Sequence, residues 1–313
     1  TVKFLVKSPS ITIERFLNDF NFKDNVRLID YLIFNYIKYD PNLRIFTLFP
    51  VRDKKYDEQA LKILQEYGDI IITKSMRVNT LVNGFNICKV LYEGTKWIGN
   101  FQNNYKGALL KARKCCLNSS NSIIDVILFS PKKNEYCSAE YLKKIKEEIR
   151  TLYNIRFHSI HSSDDHKETI RYSKIFFETN THILSQKRAE EFFVKFEISL
   201  ENLKKININS SQFVFSGSAV MGALGLRNPK DLDIFHVKNF ILPNNLSSHN
   251  SQIKFLNQKI DELIFDPRNF FYYMGFKFLH PKIILEMKIN RNKVKYNIKD
   301  SKDIEILNKF LNN

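Results

Sequence analysis

Two aspartates one residue apart, Asp231 and Asp233, sit among apolar neighbours in the stretch FVFSGSAVMGALGLRNPKDLDIF, residues 213–235. Carboxylates drawn toward an apolar interior are costly unless something positive meets them. On a strand, residues i and i+2 point to one face, so these two carboxylates project together, roughly 6.5–7 Å apart at the backbone. Leu232 and Ile234 then point into the core. Carboxylates so spaced can share a pair of divalent cations about 3.5–4 Å apart, which activates an attacking hydroxyl and neutralises a departing pyrophosphate. Mg²⁺ suits this task, since it takes few carboxylates and completes its shell with phosphate oxygens and water.

The residues just before the pair point the same way. Three of the nine glycines, Gly217, Gly222 and Gly225, fall within nine residues. FVFSGS reads as a strand ending in a Gly-Ser turn, and AVMGALGL as a helix that starts at once. The free N–H groups of that helix start make an anion site, and Gly217 lets a phosphate approach because no Cβ stands in the way. Gly225 is expected to end the helix, Gly222 is assigned only close packing, and RNPK turns the chain into the strand DLDIF.

Strand, Gly217-Ser218, twelve residues (219–230) and then Asp231-Leu232-Asp233-Ile234 together resemble the signature of the DNA-polymerase-β-like nucleotidyltransferases. The ending EMKINRNKVKYNIKDSKDIEIL is similar to the helical tail of small stand-alone members. The resemblance covers about residues 187–313. It implies that Gly217 and Ser218 bind the phosphates of a donor NTP (ATP among the candidates), and that Asp231 and Asp233 hold two Mg²⁺ ions. It also implies a third carboxylate on a neighbouring strand, to deprotonate the attacking hydroxyl. Asp261, Glu262 and Asp266 are the candidates, with Asp261 favoured on a strand and Asp266, before Pro267, suited to a turn. Arg227 and Lys230 flank the pair and are candidate phosphate contacts, Arg227 with a bidentate fork. Lys288 and Arg291 are expected on an exposed helix face.

A second cluster lies earlier, in HSIHSSDDH, where His158, His161 and His166 form a candidate second site. On a strand, His158 and His161 are three apart and face opposite ways. Asp164 or Asp165 also serves as an ordinary helix cap. The loop nonetheless follows the C-terminal end of an expected parallel strand, where α/β domains bind ligands. Trp97 is expected in the core or at an edge. The four basic residues of NYKGALLKARK (104–114) are expected on a solvated helix face.

The elements that must carry these residues alternate. Strands are expected at 43–50, 69–78, 122–130 and 155–162, and helices at 56–68, 105–116, 138–153 and 163–177. This βαβα rhythm predicts a mostly parallel sheet. ETNTHILSQK (178–187) reads as a short strand or linker, and a helix at 187–203 precedes FVFSG. The fold expected is α/β: a mostly parallel α/β domain of unassigned role at 1–185, and a smaller α+β nucleotidyltransferase-like domain at 186–313 with C-terminal helices. Pro281 opens the first tail helix, and Asp300 or Ser301 caps the second.

Bulk properties bound the rest. The 313 residues carry a formal charge of +16 with 43% hydrophobic content, enough for real cores. The basic excess is shared between the two halves, which favours anionic ligands in general, nucleotides and nucleic acid included. Lys, Asn, Ile and Phe are abundant and Gly scarce, a bias that an AT-rich genome produces unaided. The four cysteines make no C-x-x-C pair, so a reducing, cytoplasmic setting is expected. No apolar run is long enough to span a membrane, and TVKFLVKSPS lacks the apolar core of a signal peptide. Thr1 in place of Met is compatible with a longer parent chain. The expected activity is Mg²⁺-dependent transfer of a nucleotidyl group to an anionic or hydroxyl acceptor: a small molecule, a sugar phosphate, a protein or an RNA end. The rivals are an inactive member acting in nucleic-acid binding or assembly, and an enzyme whose chemistry lies around His158–His166.

Overall fold

The computed structural model describes residues 2–4, 26–78, 80–117, 122–132, 137–189, 191, 193–206 and 208–312. Most of the opening stretch TVKFLVKSPS lies outside them. The chain divides into two compact units: Thr1–Gly99 with Tyr105–Phe177, and Asn100–Asn104 with Glu178–Asn313. The expected boundary near 186 falls inside a helix of the second unit.

The first unit contains β1 (Val2–Phe4), α1 (Val26–Tyr39), β2 (Arg44–Leu48), α2 (Asp57–Tyr67), β3 (Gly68–Arg77), α3 (Leu81–Leu91) and α4 (Lys106–Ala112). β4 (Ile123–Pro131), α5 (Ala139–Tyr153), β5 (Ile160–Ser162) and α6 (His166–Phe176) follow. Every residue of β2 is buried, as suits a strand covered on both faces. α5 places Leu142, Ile145, Ile149 and Tyr153 at helical spacing on its buried side. Ser138 caps its start, and Asn154, in a left-handed conformation, ends it. This face packs with α2 over Phe46, Ile127 and Phe129 of the sheet.

The strand order is β1-β3-β4-β2-β5, and every pairing recorded in this sheet is antiparallel. This corrects the expected parallel sheet. The helical crossovers do make β2 parallel to β3, and β4 parallel to β5. However, β4 lies between the first pair, and β2 between the second, each antiparallel to its neighbours. The result is a split β-α-β arrangement. Alternation in sequence fixes the sense of successive strands but says nothing about which strand later inserts between them.

The second unit begins with α7 (Thr179–Lys187), a helix where a strand or linker was expected. Glu178 caps it by accepting from Asn180 and Thr181. α8 (Val194–Lys205), β6 (Phe213–Phe215), α9 (Gly217–Ala223), β7 (Asp233–His236) and β8 (Ser247–Ser248) follow. α10 (Ile260–Phe265), β9 (Phe270–Tyr273), β10 (Phe276–Leu279), α11 (Pro281–Val294) and α12 (Ile298–Asn312) complete it. The sheet is mixed, in the order β8-β7-β6-β10-β9, with β6 parallel to β10 and antiparallel to β7. Phe213, Phe215 and Phe278 fill its centre, with Phe215 and Phe278 stacked at 4.7 Å. Ile284 and Met287 of α11 belong to the same core. Among the described residues, no helix is long and apolar enough to cross a membrane.

Candidate functional site

β6 and β7 pair with Phe215 opposite Ile234, so the chain leaves β6 beside the first residue of β7. Ser216 N–H donates to the Asp233 carbonyl at 2.8 Å. Gly217 then turns with φ +57°, a conformation that favours glycine. A Cβ built there would lie 2.7 Å from Asp233 Oδ2 and 3.1 Å from His249 Cε1. The missing side chain is therefore a cradle against the Asp233 carboxylate. α9, which follows, has only seven residues, so it offers free N–H groups more than a large dipole. It ends where Gly225, at φ +71°, donates to Gly222 O and Leu226 to Met221 O, the paired bonds of a glycine-terminated helix. Gly222 faces the Pro229 ring, where a Cβ would sit 2.7 Å from Cδ.

β7 starts at Asp233, which is half-buried, while Asp231 lies just before the strand and is exposed. Burial, with Asp231 alongside, pushes the Asp233 carboxyl up to about 6, and Lys288 and Arg291 act against that rise. A group so displaced marks a site where charge is held at a cost.

The second group at the site is His249, in the polar, turn-rich stretch LPNNLSSHNSQ (242–252) that follows β7. β8 runs parallel to β7 with Asp233 opposite Ser247, and His249 N–H donates to Ile234 O at 2.8 Å. The imidazole is thereby set with Nε2 3.3 Å from Asp233 Oδ2 and Nδ1 3.3 Å from Ser216 Oγ. Burial first, then Arg291 and Lys288, push His249 down to about 4. The ring is neutral at pH 7, and its contact with Asp233 is not an ion pair.

Lys288 and Arg291 overturn the expectation of an exposed face. Lys288 is buried, with Nζ 3.0 Å from Asp300 and 2.8 Å from Asp303 of α12. Arg291 forks onto Asp300 at 2.6 and 2.7 Å. Asp300 is thus an ion-pair partner inside the first turn of α12, not its cap, and its carboxyl is lowered because these cations outweigh burial. Asn297 does the capping, accepting from Lys299 N–H at 2.9 Å. Arg227 is also engaged, with Nε 2.8 Å from Asp303, where a fork onto phosphate was expected. Lys230 is exposed, and Ser218 is half-buried one residue into α9.

The favoured third acid, Asp261, lies in the first turn of helix α10 and is exposed, not on a strand. Glu262 accepts from Lys259 N–H at the start of that helix. Asp266 caps the next turn and pairs with Arg268. Glu262 and Asp266 thus have local backbone duties, and the carboxylate acting on Asp233 is Asp231. Among the described residues, no group of three or more His, Cys, Asp or Glu forms a ready metal cage.

Comparisons with models of known protein families, with curated proteins and with solved structures find no match.

In the first unit the three histidines turn to different partners. His158 Nδ1 lies 3.4 Å from Cys115 Sγ, His161 Nε2 lies 2.8 Å from the Tyr172 hydroxyl, and His166 Nε2 lies 2.9 Å from Ile37 O. His158 belongs to a short 3-10 turn, Arg156–His158, ahead of the three-residue β5. The His161 ring lies on Tyr92 at 4.3 Å between centroids, and burial, with Lys146, Lys111 and Arg150, lowers it well below the usual range. Asp165 caps α6 and Asp164 accepts from Lys146. β5 is antiparallel to its neighbour β2, so the loop after it is not the ligand-binding end of a parallel sheet. Trp97 packs on Tyr92 with half its surface exposed. In NYKGALLKARK, Lys111 is buried and donates to Phe157 O at 2.6 Å, so that helix is not simply solvated.

Proposed function

We propose that the second unit transfers a nucleotidyl group from an NTP to a hydroxyl or phosphate acceptor, in a reaction dependent on a divalent cation. The observation that carries this reading is the Gly217 cradle. A strand end, a glycine at φ +57° and a short helix start all abut the Asp233 carboxylate, with Asp231 two residues before it. A phosphate needs close access to backbone N–H groups, and Gly217 leaves it room. The donor set fits Mg²⁺ or a similar ion. Such ions are held by one or two carboxylates and completed by substrate phosphates, without an all-protein cage.

In this reading Asp231 and Asp233 hold the cation, two ions being the number the sequence resemblance implies. Gly217 and Ser218 receive the phosphates. Lys288 and Arg291 hold positive charge beside Asp233 and His249 while tied to α12. When bound, the cation activates the acceptor oxygen and neutralises the departing pyrophosphate. The rest of the catalysis is positioning and charge complementarity. The four cysteines are free and buried, and we take a cytoplasmic setting as part of the proposal.

The rival, a nucleic-acid-binding or assembly protein of this fold without activity, is favoured by the placement of Asp261 on an exposed helix turn. Calorimetry with Mg²⁺ or Mn²⁺ and non-hydrolysable NTPs tests the reading. Joint binding that Asp231→Ala weakens supports nucleotide handling, and no heat from any NTP with either metal overturns it. Label transfer from an NTP to protein, RNA ends or sugar phosphates then separates an enzyme from a binder.

A further inference from the structure

The resemblance predicted a third acid, and a different side chain stands beside Asp233. We propose that His249 is a ligand of the divalent cation, Nε2 and Asp233 Oδ2 holding one ion between them with phosphate oxygens and water completing its shell. The inference rests on the reading of Asp231 and Asp233 as cation-binding residues, and it adds a nitrogen donor to that site.

The first support is the separation. Two ligands each about 2.0–2.1 Å from a metal, at angles between about 90° and 109°, lie roughly 2.8–3.4 Å apart. Nε2 and Oδ2 are 3.3 Å apart, within that span. The second is orientation. Metal-bound imidazoles are generally fixed by a hydrogen bond at the other ring nitrogen. Here Nδ1 faces Ser216 Oγ at 3.3 Å, and Ser216 is fully buried. With the proton on Nδ1 donated to Ser216, Nε2 turns its lone pair toward Asp233. Two lone-pair donors then confront one another, an arrangement that a cation between them relieves.

The third support is that nothing has to move. His249 is carried one residue past β8, its N–H tied to Ile234 O at 2.8 Å, so ring and carboxylate come from adjacent strands of one sheet. The Gly217 cradle opens on both partners, since a Cβ there would approach Asp233 Oδ2 and His249 Cε1 alike. A mixed nitrogen and oxygen site prefers Mn²⁺ or Zn²⁺ over Mg²⁺, which favours all-oxygen shells. The ion selected is therefore of the Mn²⁺ class.

The test is Mn²⁺ titration of the full chain followed by electron paramagnetic resonance. Pulsed spectra of the bound ion report nitrogen coupling directly. The arms are wild type, Asp233→Asn, His249→Gln and His249→Asp, each checked for folding by circular dichroism. Wild type is expected to bind Mn²⁺ with an imidazole nitrogen signature. His249→Gln loses the signature and weakens binding at least about tenfold, the lower bound for disturbing even an outer partner of a ligand. His249→Asp regains tight binding with its preference moved toward Mg²⁺. Unchanged affinity and spectrum in His249→Gln, with binding lost in Asp233→Asn, overturn the role of His249 and leave the nucleotidyl reading standing. No Mn²⁺ bound by wild type, with or without a non-hydrolysable NTP, overturns both. Should His249→Gln not fold, the nitrogen signature in wild type alone decides.

Discussion

Replacing Asp233 by Asn is expected to stabilise the metal-free protein at neutral pH. Burial and Asp231 push the Asp233 carboxyl up to about 6, against about 3.9 in an unfolded chain. Between those values the native state holds more protons than the unfolded state, so stability falls as pH rises. The accumulated cost is about 3 kcal/mol above pH 7 and about 1.5 kcal/mol at pH 5. The side chain is only 18% exposed, so solvent screening trims this modestly. Asn is neutral, nearly isosteric and able to meet His249 Nε2 with its amide. Its gain is therefore about 1–3 kcal/mol at pH 7.5 and about half that at pH 5. At about 2–4 °C per kcal/mol, the melting temperature rises by roughly 2–12 °C at pH 7.5. Thermal unfolding in EDTA at both pH values reads this out. A lowered melting temperature in the variant, or a difference equal at both pH values, refutes the electrostatic reasoning.

The same pair of proteins should change rank when cation and nucleotide are added. A ligand at a hundred times its dissociation constant stabilises by about 2.7 kcal/mol, and only wild type has the carboxylate that receives it. On the proposed reading, the cost of holding Asp233 ionised should be recovered on binding, the pattern of a group retained against stability. Equal stabilisation of both proteins by Mn²⁺ and NTP contradicts this.

His249→Gln carries the opposite pH signature. With His249 held down to about 4, the native state binds fewer protons than the unfolded state up to about pH 6.5, so acid destabilises wild type there. The variant should be about 2 kcal/mol more stable at pH 5 and unchanged at pH 7.5, measured by urea unfolding. Gly217→Ala places a Cβ 2.7 Å from Asp233 Oδ2 at φ +57°. It should cost about 1–2 kcal/mol and weaken Mn²⁺ binding, whereas Gly225→Ala, at φ +71°, should cost stability alone. Lys288→Met strips one cation from two buried acids. Because Arg291 still holds Asp300 and Arg227 still holds Asp303, the loss should fall near or below the roughly 3–5 kcal/mol of a fully broken buried pair. The Asp233 carboxyl should also titrate higher by NMR, because Lys288 helps hold it down.

The parts of the second unit legible in the sequence are those written in local chemistry. The Gly217 turn and the Gly225 stop depend on backbone conformation, which acts over a few residues, whereas the expected strand alternation of Asp231 and Asp233 holds only from Asp233 on, since Asp231 lies before β7. His249 and the Lys288–Asp300 pairing were not legible. The first reaches Asp233 only because β8 adds beside β7, and the second because α11 and α12 fold back on one another. The same limit explains Asp261, since a short apolar-acidic run such as KIDELIF suits a strand or one helical turn, and the Glu262 carboxylate accepting from Lys259 N–H favours the helix. In the first unit, β2, β3 and β4 followed from β-branched and aromatic runs, whereas the strand expected at 155–162 shrinks to Ile160–Ser162 behind a 3-10 turn. The parallel reading failed because pairing order is set by long-range packing.

The tail helices give the site its electrical character. A positive potential favours a carboxylate over a carboxylic acid, and neutral imidazole over imidazolium. Lys288 and Arg291 act in that sense on Asp233 and on His249 at once. Both groups are thereby biased toward the forms that carry lone pairs. Bare cations would also repel an incoming metal ion. Tethering both to Asp300, with Lys288 also on Asp303, keeps them oriented and nearly neutralised as a cluster. Their influence is then short-ranged, felt by the two groups they face and weak farther out. On the proposed reading, the buried acids of α12 therefore serve the site as well as the stability of the unit. They let two cations sit behind Asp231 and Asp233 without closing the proposed cation site to metal.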